Sequence, residues 1–346
     1  MNIVLVAGLV APSLAFEFLG EALEKRGASI MKFLGHGKPT GIDPDILRNT
    51  IQFADMVVTG ISTPEEKALE ELSAIKLARE FQKPLGLYAD TYDVFRRKWF
   101  ATMRPDAKFL FVLDEGEAKS ARVLYPNAEI IASGNPTWES YNQQRFSRQE
   151  VRQQLGIGDF ETAVLCTGGT VARDNQAFLI DIILALGQVS GHNWKILFSA
   201  HPGDLAFRDN PAIYDALKEK SAIPIRFVGK SEMATFDVIP GSDFIIDMPG
   251  SSIGVAGAFQ RKKVICYFRT GALDALERAI DVRVWRPCAR GVMYEVHDPK
   301  DFVQAFAADY TLLLQNQERY YPVPPLKSEV VDSMVCTIER NSLTKK

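Results

Sequence analysis

Ala163-Val164-Leu165-Cys166-Thr167-Gly168-Gly169-Thr170, continued by Val171-Ala172-Arg173-Asp174-Asn175, is the stretch on which the fold turns. Residues 163–167 read as a buried strand, the two glycines as a turn, and 174–190 as a helix with apolar residues at helical spacing. A strand that breaks on glycine into a helix is the unit from which parallel α/β sheets are built. Here it starts near the middle of a 346-residue chain, so the chain reads as two halves of one architecture.

Downstream, strands at 194–199, 225–228, 243–247 and 263–267 alternate with helices at 211–221, 231–236 and 252–260. Upstream, strands read at 2–7, 28–34, 55–60, 84–89, 108–113 and 128–132. Helices read at 13–26, with Ser13 as N-cap and Gly27 as stop, and at 64–81. Near-continuous apolar strands imply parallel sheets covered on both faces. The polar stretch 134–162 reads as a connection, Pro-rich 322–325 closes the second half, and 327–341 reads as a terminal helix. The expected fold is α/β, with two Rossmann-like domains facing a cleft and a C-terminal helix packing back towards the first. The expected boundaries are 1–140, a linker at 141–160, 161–322, and a tail with helix at 323–346.

The formal net charge of −3 gives no electrostatic reason to expect a nucleic-acid partner. Cys166, Cys266, Cys288 and Cys336 form no CxxC pair, so neither a metal site nor a disulfide framework is expected. Met1-Asn2-Ile3-Val4-Leu5-Val6 reads as a strand and not as a signal peptide. No run approaches the roughly 18 apolar residues of a membrane span. The expected address is cytoplasmic.

In a doubly wound sheet ligands lie beyond the carboxyl ends of the strands. Four loops of the second half sit there. Gly168, Gly169 and Thr170 open a helix start where backbone N–H groups and Arg173 suit a phosphate. Gly250, Ser251 and Ser252 precede the 252–260 helix and suit a diphosphate; an ordinary Ser N-cap reads the same. His201, in Ser199-Ala200-His201-Pro202, can donate to a phosphate. Val228, Gly229 and Lys230 can hold a nucleobase edge or face a phosphate. Each loop alone has a plain reading as a turn or a solvated side chain. Their convergence on one rim carries the inference.

These residues resemble the GT-B glycosyltransferase superfamily, including its non-hydrolysing UDP-N-acetylglucosamine 2-epimerase and CDP-glycerol glycerophosphotransferase branches. The resemblance rests on Thr167-Gly168-Gly169-Thr170, His201-Pro202, and Gly250-Ser251-Ser252 followed by a small-residue helix and Lys263-Val264-Ile265. Ser133-Gly134-Asn135-Pro136 matches the family's exit from its first domain. The resemblance implies a nucleotide-sugar donor, a UDP-sugar foremost. Its diphosphate would lie near Gly169, Ser251 and Ser252, and its base near Val228 and Gly229. It implies no cofactor and no catalytic metal. One departure is visible: Gly254-Val255-Ala256-Gly257-Ala258 holds no carboxylate where many members place a ribose-binding Glu.

An inverting transfer also needs a base. Asp90, after strand 84–89, is the first candidate, with a helix N-cap for 91–100 as its plain alternative. His36, in Gly35-His36-Gly37, is the second, and Glu115 reads more simply as a first-turn helix carboxylate. The basic, aromatic run Arg96-Arg97-Lys98-Trp99-Phe100-Ala101-Thr102-Met103-Arg104 suits an anionic acceptor or a peripheral membrane contact, or is a solvated helix face. Two other functions stay open: a sugar-nucleotide epimerase or hydrolase, and a nucleotide-binding protein without catalysis.

Overall fold

The computed structural model describes residues 1–38, 40–169, 172–201, 204, 207, 210–229 and 232–343. The chain divides into two compact units. One holds Met1–Glu139, Leu276–Val282 and Pro325–Lys346; the other holds Ser140–Ala275 and Arg283–Pro324.

The first unit is a six-stranded parallel sheet ordered β2-β1-β3-β4-β5-β6. Its strands are β1 (Asn2–Ala7), β2 (Ser29–Leu34), β3 (Met56–Gly60), β4 (Leu85–Tyr88), β5 (Ala107–Val112) and β6 (Glu129–Ala132). Alternate residues of a strand face opposite sides of the sheet. Val4, Val6, Val57, Leu85 and Leu87 therefore pack on one face with the helices Pro44–Phe53 and Leu69–Glu80. Ile3, Leu5, Val58, Tyr88 and Phe109 pack on the other with the helix Val10–Lys25. The terminal helix, Lys327–Leu343, covers that same face. Its Val330, Val331, Met334, Val335 and Ile338 form one helical stripe buried in this core. Arg26 clamps it from outside, 2.9 Å from Asp332 and 3.1 Å from Glu339. The terminal helix thus packs on the first sheet, as the sequence leads one to expect.

Several elements differ from expectation. The first helix begins at Val10, so Ser13 does not cap it; Ser13 is buried and its hydroxyl donates to the Ala7 carbonyl at 3.3 Å. Residues 64–81 break into a short 3₁₀ turn, Glu65–Lys67, and the helix Leu69–Glu80. The helix Pro44–Phe53 is additional. Asp43 caps it, accepting from Asp45 N at 2.7 Å, with Pro44 in the first turn.

The second unit repeats the plan with the order β12-β11-β10-β7-β8-β9, again parallel. Its strands are β7 (Glu161–Thr167), β8 (Asn193–Ser199), β9 (Ile225–Phe227), β10 (Phe244–Asp247), β11 (Lys263–Tyr267) and β12 (Tyr294–Val296). β12 is an edge strand of three residues, Tyr-Glu-Val, too short and too polar to register as an apolar run. The polar stretch before β7 is fixed to this unit. Arg152, buried, donates to the carbonyls of Gly158 and Glu161 at 2.6 and 2.7 Å, and Arg148 lies 2.6 Å from Asp243. Among the described residues no helix is long and apolar enough to cross a membrane.

Candidate functional site

The chain leaves β7 towards β8 and β9 on one side and returns through β10 on the other. The topological switch point, where open α/β sheets bind ligands, therefore lies between β7 and β10. The loops holding Gly168, Gly169, Gly250, Ser251 and Ser252 flank it.

Asp247, the last residue of β10, joins the two loops from below. It is buried at 1% exposure. Its carboxylate accepts from Thr167 Oγ1 at 2.6 Å, Met248 N at 2.8 Å and Gly254 N at 2.6 Å. Burial pushes this carboxyl above the usual carboxylate range, and these donors, with the Ser251 hydroxyl, pull it back. A Cβ on Gly254 would lie 2.7 Å from Asp247 Oδ2. The Ser252–Phe259 helix is therefore glycine at this point because Asp247 fills the space, and Gly254 to Phe259 are all buried. A ribose-binding carboxylate has no place on that stretch.

The glycine turn after β7 is braced in the same way. Gly168 N donates to Ser199 O at 3.1 Å. A Cβ on Gly168 would meet Asn175 and Phe198 at 2.9 Å. Gly169 N donates to Asn175 Oδ1 at 2.7 Å, and Asn175 Nδ2 donates to Asp204 Oδ2 at 2.8 Å. Tyr214 completes the chain, donating its hydroxyl to Asp204 Oδ2 at 2.8 Å. Asp247, Asn175 and Asp204 thus organise the loops, and sequence reasoning gave none of them a role. The available signal was a carboxylate closing an apolar strand, Phe244-Ile245-Ile246-Asp247.

This bracing turns most of the loops' backbone N–H groups inward. The N–H groups of Gly168, Gly169 and Gly254 are engaged inside the protein. Val228 N is likewise engaged by Phe198 O at 2.8 Å, and Gly229 O accepts from Glu232 N at 2.9 Å. Ser251 is the helix N-cap, accepting from Ile253 N at 3.2 Å, while Gly250 takes φ of 90° in the turn before it. Ser252 and Arg173 are exposed. His201 is exposed, and its carbonyl accepts from Asp204 N at 2.8 Å. Thr170 and Lys230 lie outside the described residues. One cation escaped sequence reasoning: Arg269, just after β11, lies 3.3 Å from Asp181 and 3.8 Å from Asp174, beside the helix that carries Arg173.

In the first unit Asp90 is buried at the end of β4. It caps no helix, for residues 91–100 contain only the 3₁₀ turn Val94–Arg96 and the start of another at Lys98. Its carbonyl accepts from Asn135 Nδ2 at 2.9 Å. Arg97, also buried, lies in its field, and beyond Arg97 lies Glu71. His36 is elsewhere engaged: it is exposed, and its Nε2 lies 3.2 Å from Glu17 Oε1. Glu115 is an exposed first-turn residue 3.6 Å from Arg122. Two of the four cations in the run at 96–104 meet carboxylates. Arg96 lies 3.2 Å from Asp93, Lys98 lies 3.4 Å from Asp281, and Arg104 donates to Arg96 O at 2.9 Å.

No protein-family model matches the chain, and no curated protein matches it in sequence. Its fold does match solved structures. The UDP-GlcNAc 2-epimerase of Methanocaldococcus jannaschii, in complex with UDP-GlcNAc and UDP, aligns at a TM-score of 0.61 with 13% identity, over 98% of this chain and 100% of that one. Anabaena HepE, in complex with UDP-glucose, aligns at 0.59 with 12% identity over 98% and 100%. A glycosyltransferase from Rickettsia africae aligns at 0.58 with 12% identity over 100% and 99%. The chain has the GT-B fold.

Proposed function

We propose that the chain is a nucleotide-sugar enzyme, a glycosyltransferase that takes a UDP-sugar at the β7/β10 switch point. The observation that carries this is that the exposed Ser252 opens the helix after β10 and the exposed Arg173 the helix after β7, the two strands that flank the switch point, with Arg269, paired to Asp174 and Asp181, following the neighbouring β11. A helix N-terminus and fixed cations favour a diphosphate and stabilise it as it departs, which is how such a transfer proceeds on protein groups alone. Structures of the same fold holding UDP-glucose or UDP-GlcNAc support UDP as the carrier. Asp90 is the acceptor-side base in this reading. A 2-epimerase is the second reading, favoured by the two buried carboxylates, Glu71 and Asp90, that the first unit gathers about Arg97.

The test is a thermal-shift panel of UDP, GDP, CDP, ADP and dTDP and their sugar conjugates. A ligand that binds only the folded state adds about 2.7 kcal/mol of stability at a hundred times its Kd. A rise in unfolding temperature with UDP is expected, and Ser252→Ala and Arg173→Ala should each reduce it without moving the ligand-free transition. Silence across the whole panel rejects the reading. Donor consumed only with an acceptor marks the transferase; sugar altered without one marks the epimerase.

A further inference from the structure

At the amino-terminal ends of its strands, away from the candidate site, the second sheet gathers three cations about one carboxylate. Asp243 stands just before β10. Its carboxylate lies 2.6 Å from Arg148 and 3.3 Å from Arg152, both on the helix Arg148–Gln154. The same turn holds Lys262, just before β11, whose ammonium donates to Pro240 O at 2.8 Å and Ser242 O at 3.1 Å. Arg148 donates to Ser242 O as well, at 3.5 Å, so two cations lie against one carbonyl oxygen. Among the described residues Lys262 forms no ion pair. Its neighbours in sequence bring no carboxylate either. Arg261 donates to Ala258 O and Tyr321 O at 2.9 and 2.8 Å, and Lys263 lies over the rings of Phe244 and Tyr310 at 5.0 and 5.4 Å. Of the nearby carboxylates, Glu150 accepts from Ser147 N at 2.7 Å, Glu161 lies 3.4 Å from Lys195, and the exposed Asp159 pairs with none of the three cations. Water reaches the cluster, for the side chains of Arg148 and Asp243 are 50% and 26% exposed.

Three cations and one carboxylate leave a surplus of two positive charges. Burial and the two arginines push the Lys262 ammonium down to about 8, against the pull of Asp243. Its charged form is held at a cost that an anion beside it would relieve. Donors remain for such an anion. An ammonium carries three N–H groups and a guanidinium five; Lys262 uses two of its own and Arg148 two. Arg152 is the fixed member, 9% exposed and tied also to the carbonyls of Gly158, Glu161 and Gly241. We propose that Arg148 and Lys262 bind a phosphate dianion from solution, inorganic or as a small monoester, with Arg152 and Asp243 as the residues that position them. A doubly charged oxyanion matches the surplus and can accept from a guanidinium edge and an ammonium at once. The site lies at the far end of β10 from Asp247, so it is separate from the nucleotide site and does not depend on that reading.

NMR of the lysine Cε signals in the full chain tests this, with Lys262 assigned by its loss in Lys262→Met. The probes are inorganic phosphate and glycerol 3-phosphate, and potassium chloride at equal ionic strength is the control. Phosphate is expected to move the Lys262 signal saturably and to raise its titration midpoint by about one unit or more, which chloride does not. Tighter binding of glycerol 3-phosphate assigns the site to a monoester, and tighter binding of inorganic phosphate assigns it to the free ion. Arg148→Met should weaken the response about tenfold or more. Arg148→Lys keeps the charge if the larger change disturbs the turn, and should retain part of the affinity. A Lys262 signal that moves no further with either phosphate than with chloride overturns the proposal. So does a phosphate response that Arg148→Met and Arg148→Lys both leave intact.

Discussion

Asp247→Ala is expected to destabilise the second unit by about 4 kcal/mol, from buried donors left open at about 1–3 kcal/mol each. The three donors are Thr167 Oγ1, Met248 N and Gly254 N, all within 2.8 Å of the carboxylate. Removal of a buried charge offsets part of the loss, because desolvation raises the carboxyl in the folded chain. Asp247→Asn retains the shape and an acceptor, so its cost should be about half as large. Urea unfolding checks the magnitude, read separately for the two units since a chain of two compact units need not unfold in one step. Amide exchange checks the cause. Met248 and Gly254 should lose protection before the rest of the sheet does. If Asp247→Ala unfolds within about 1 kcal/mol of the parent, Asp247 does not hold these loops together. The nucleotide shift should fall in parallel with stability, because Ser252 keeps its position through the same helix start.

The division between what the sequence disclosed and what it concealed follows from the range of the interactions. β1, β3, β5, β7 and β8 are apolar runs because both faces of each sheet are covered, and that signal is local. The Pro44–Phe53 helix buries only Leu47 and Ile51, one turn apart, and so leaves little periodic trace. β12 leaves none. At the site, glycines after β7 and before the Ser252–Phe259 helix disclose where the chain turns. They do not disclose which N–H groups face outward. That depends on Asp247 reaching Thr167 across 80 residues and on Asp204 reaching Asn175 across 29. Arg97 was legible as a charge in a basic run, but its burial beside Asp90 and Glu71 depends on three separate segments.

The two units also share a device that no local pattern shows. In the first sheet the switch point lies between β1 and β3, and the buried Glu71 closes it as Asp247 closes its counterpart. Burial pushes the Glu71 carboxyl up to about 7, while Ser62, Gly8 and the Arg97 charge oppose that rise. The unfolded chain holds the same group near 4.5. Between those values the folded state binds the proton and the unfolded state has lost it. Stability of the first unit must then be greatest below about pH 4.5 as far as this group is concerned, fall as pH rises through about 7, and level off above it. The span is worth about 3 kcal/mol at 1.36 kcal/mol per unit. Urea unfolding of the parent and of Glu71→Gln between pH 5 and pH 8 should show a difference that narrows towards neutral pH, since the amide cannot ionise. Arg97→Met should extend the falling limb to higher pH, because it removes the one cation that favours the ionised Glu71. A difference independent of pH would mean that Glu71 is ionised throughout, its three donors outweighing its burial, and that Arg97 lies between two full negative charges at every pH in the range.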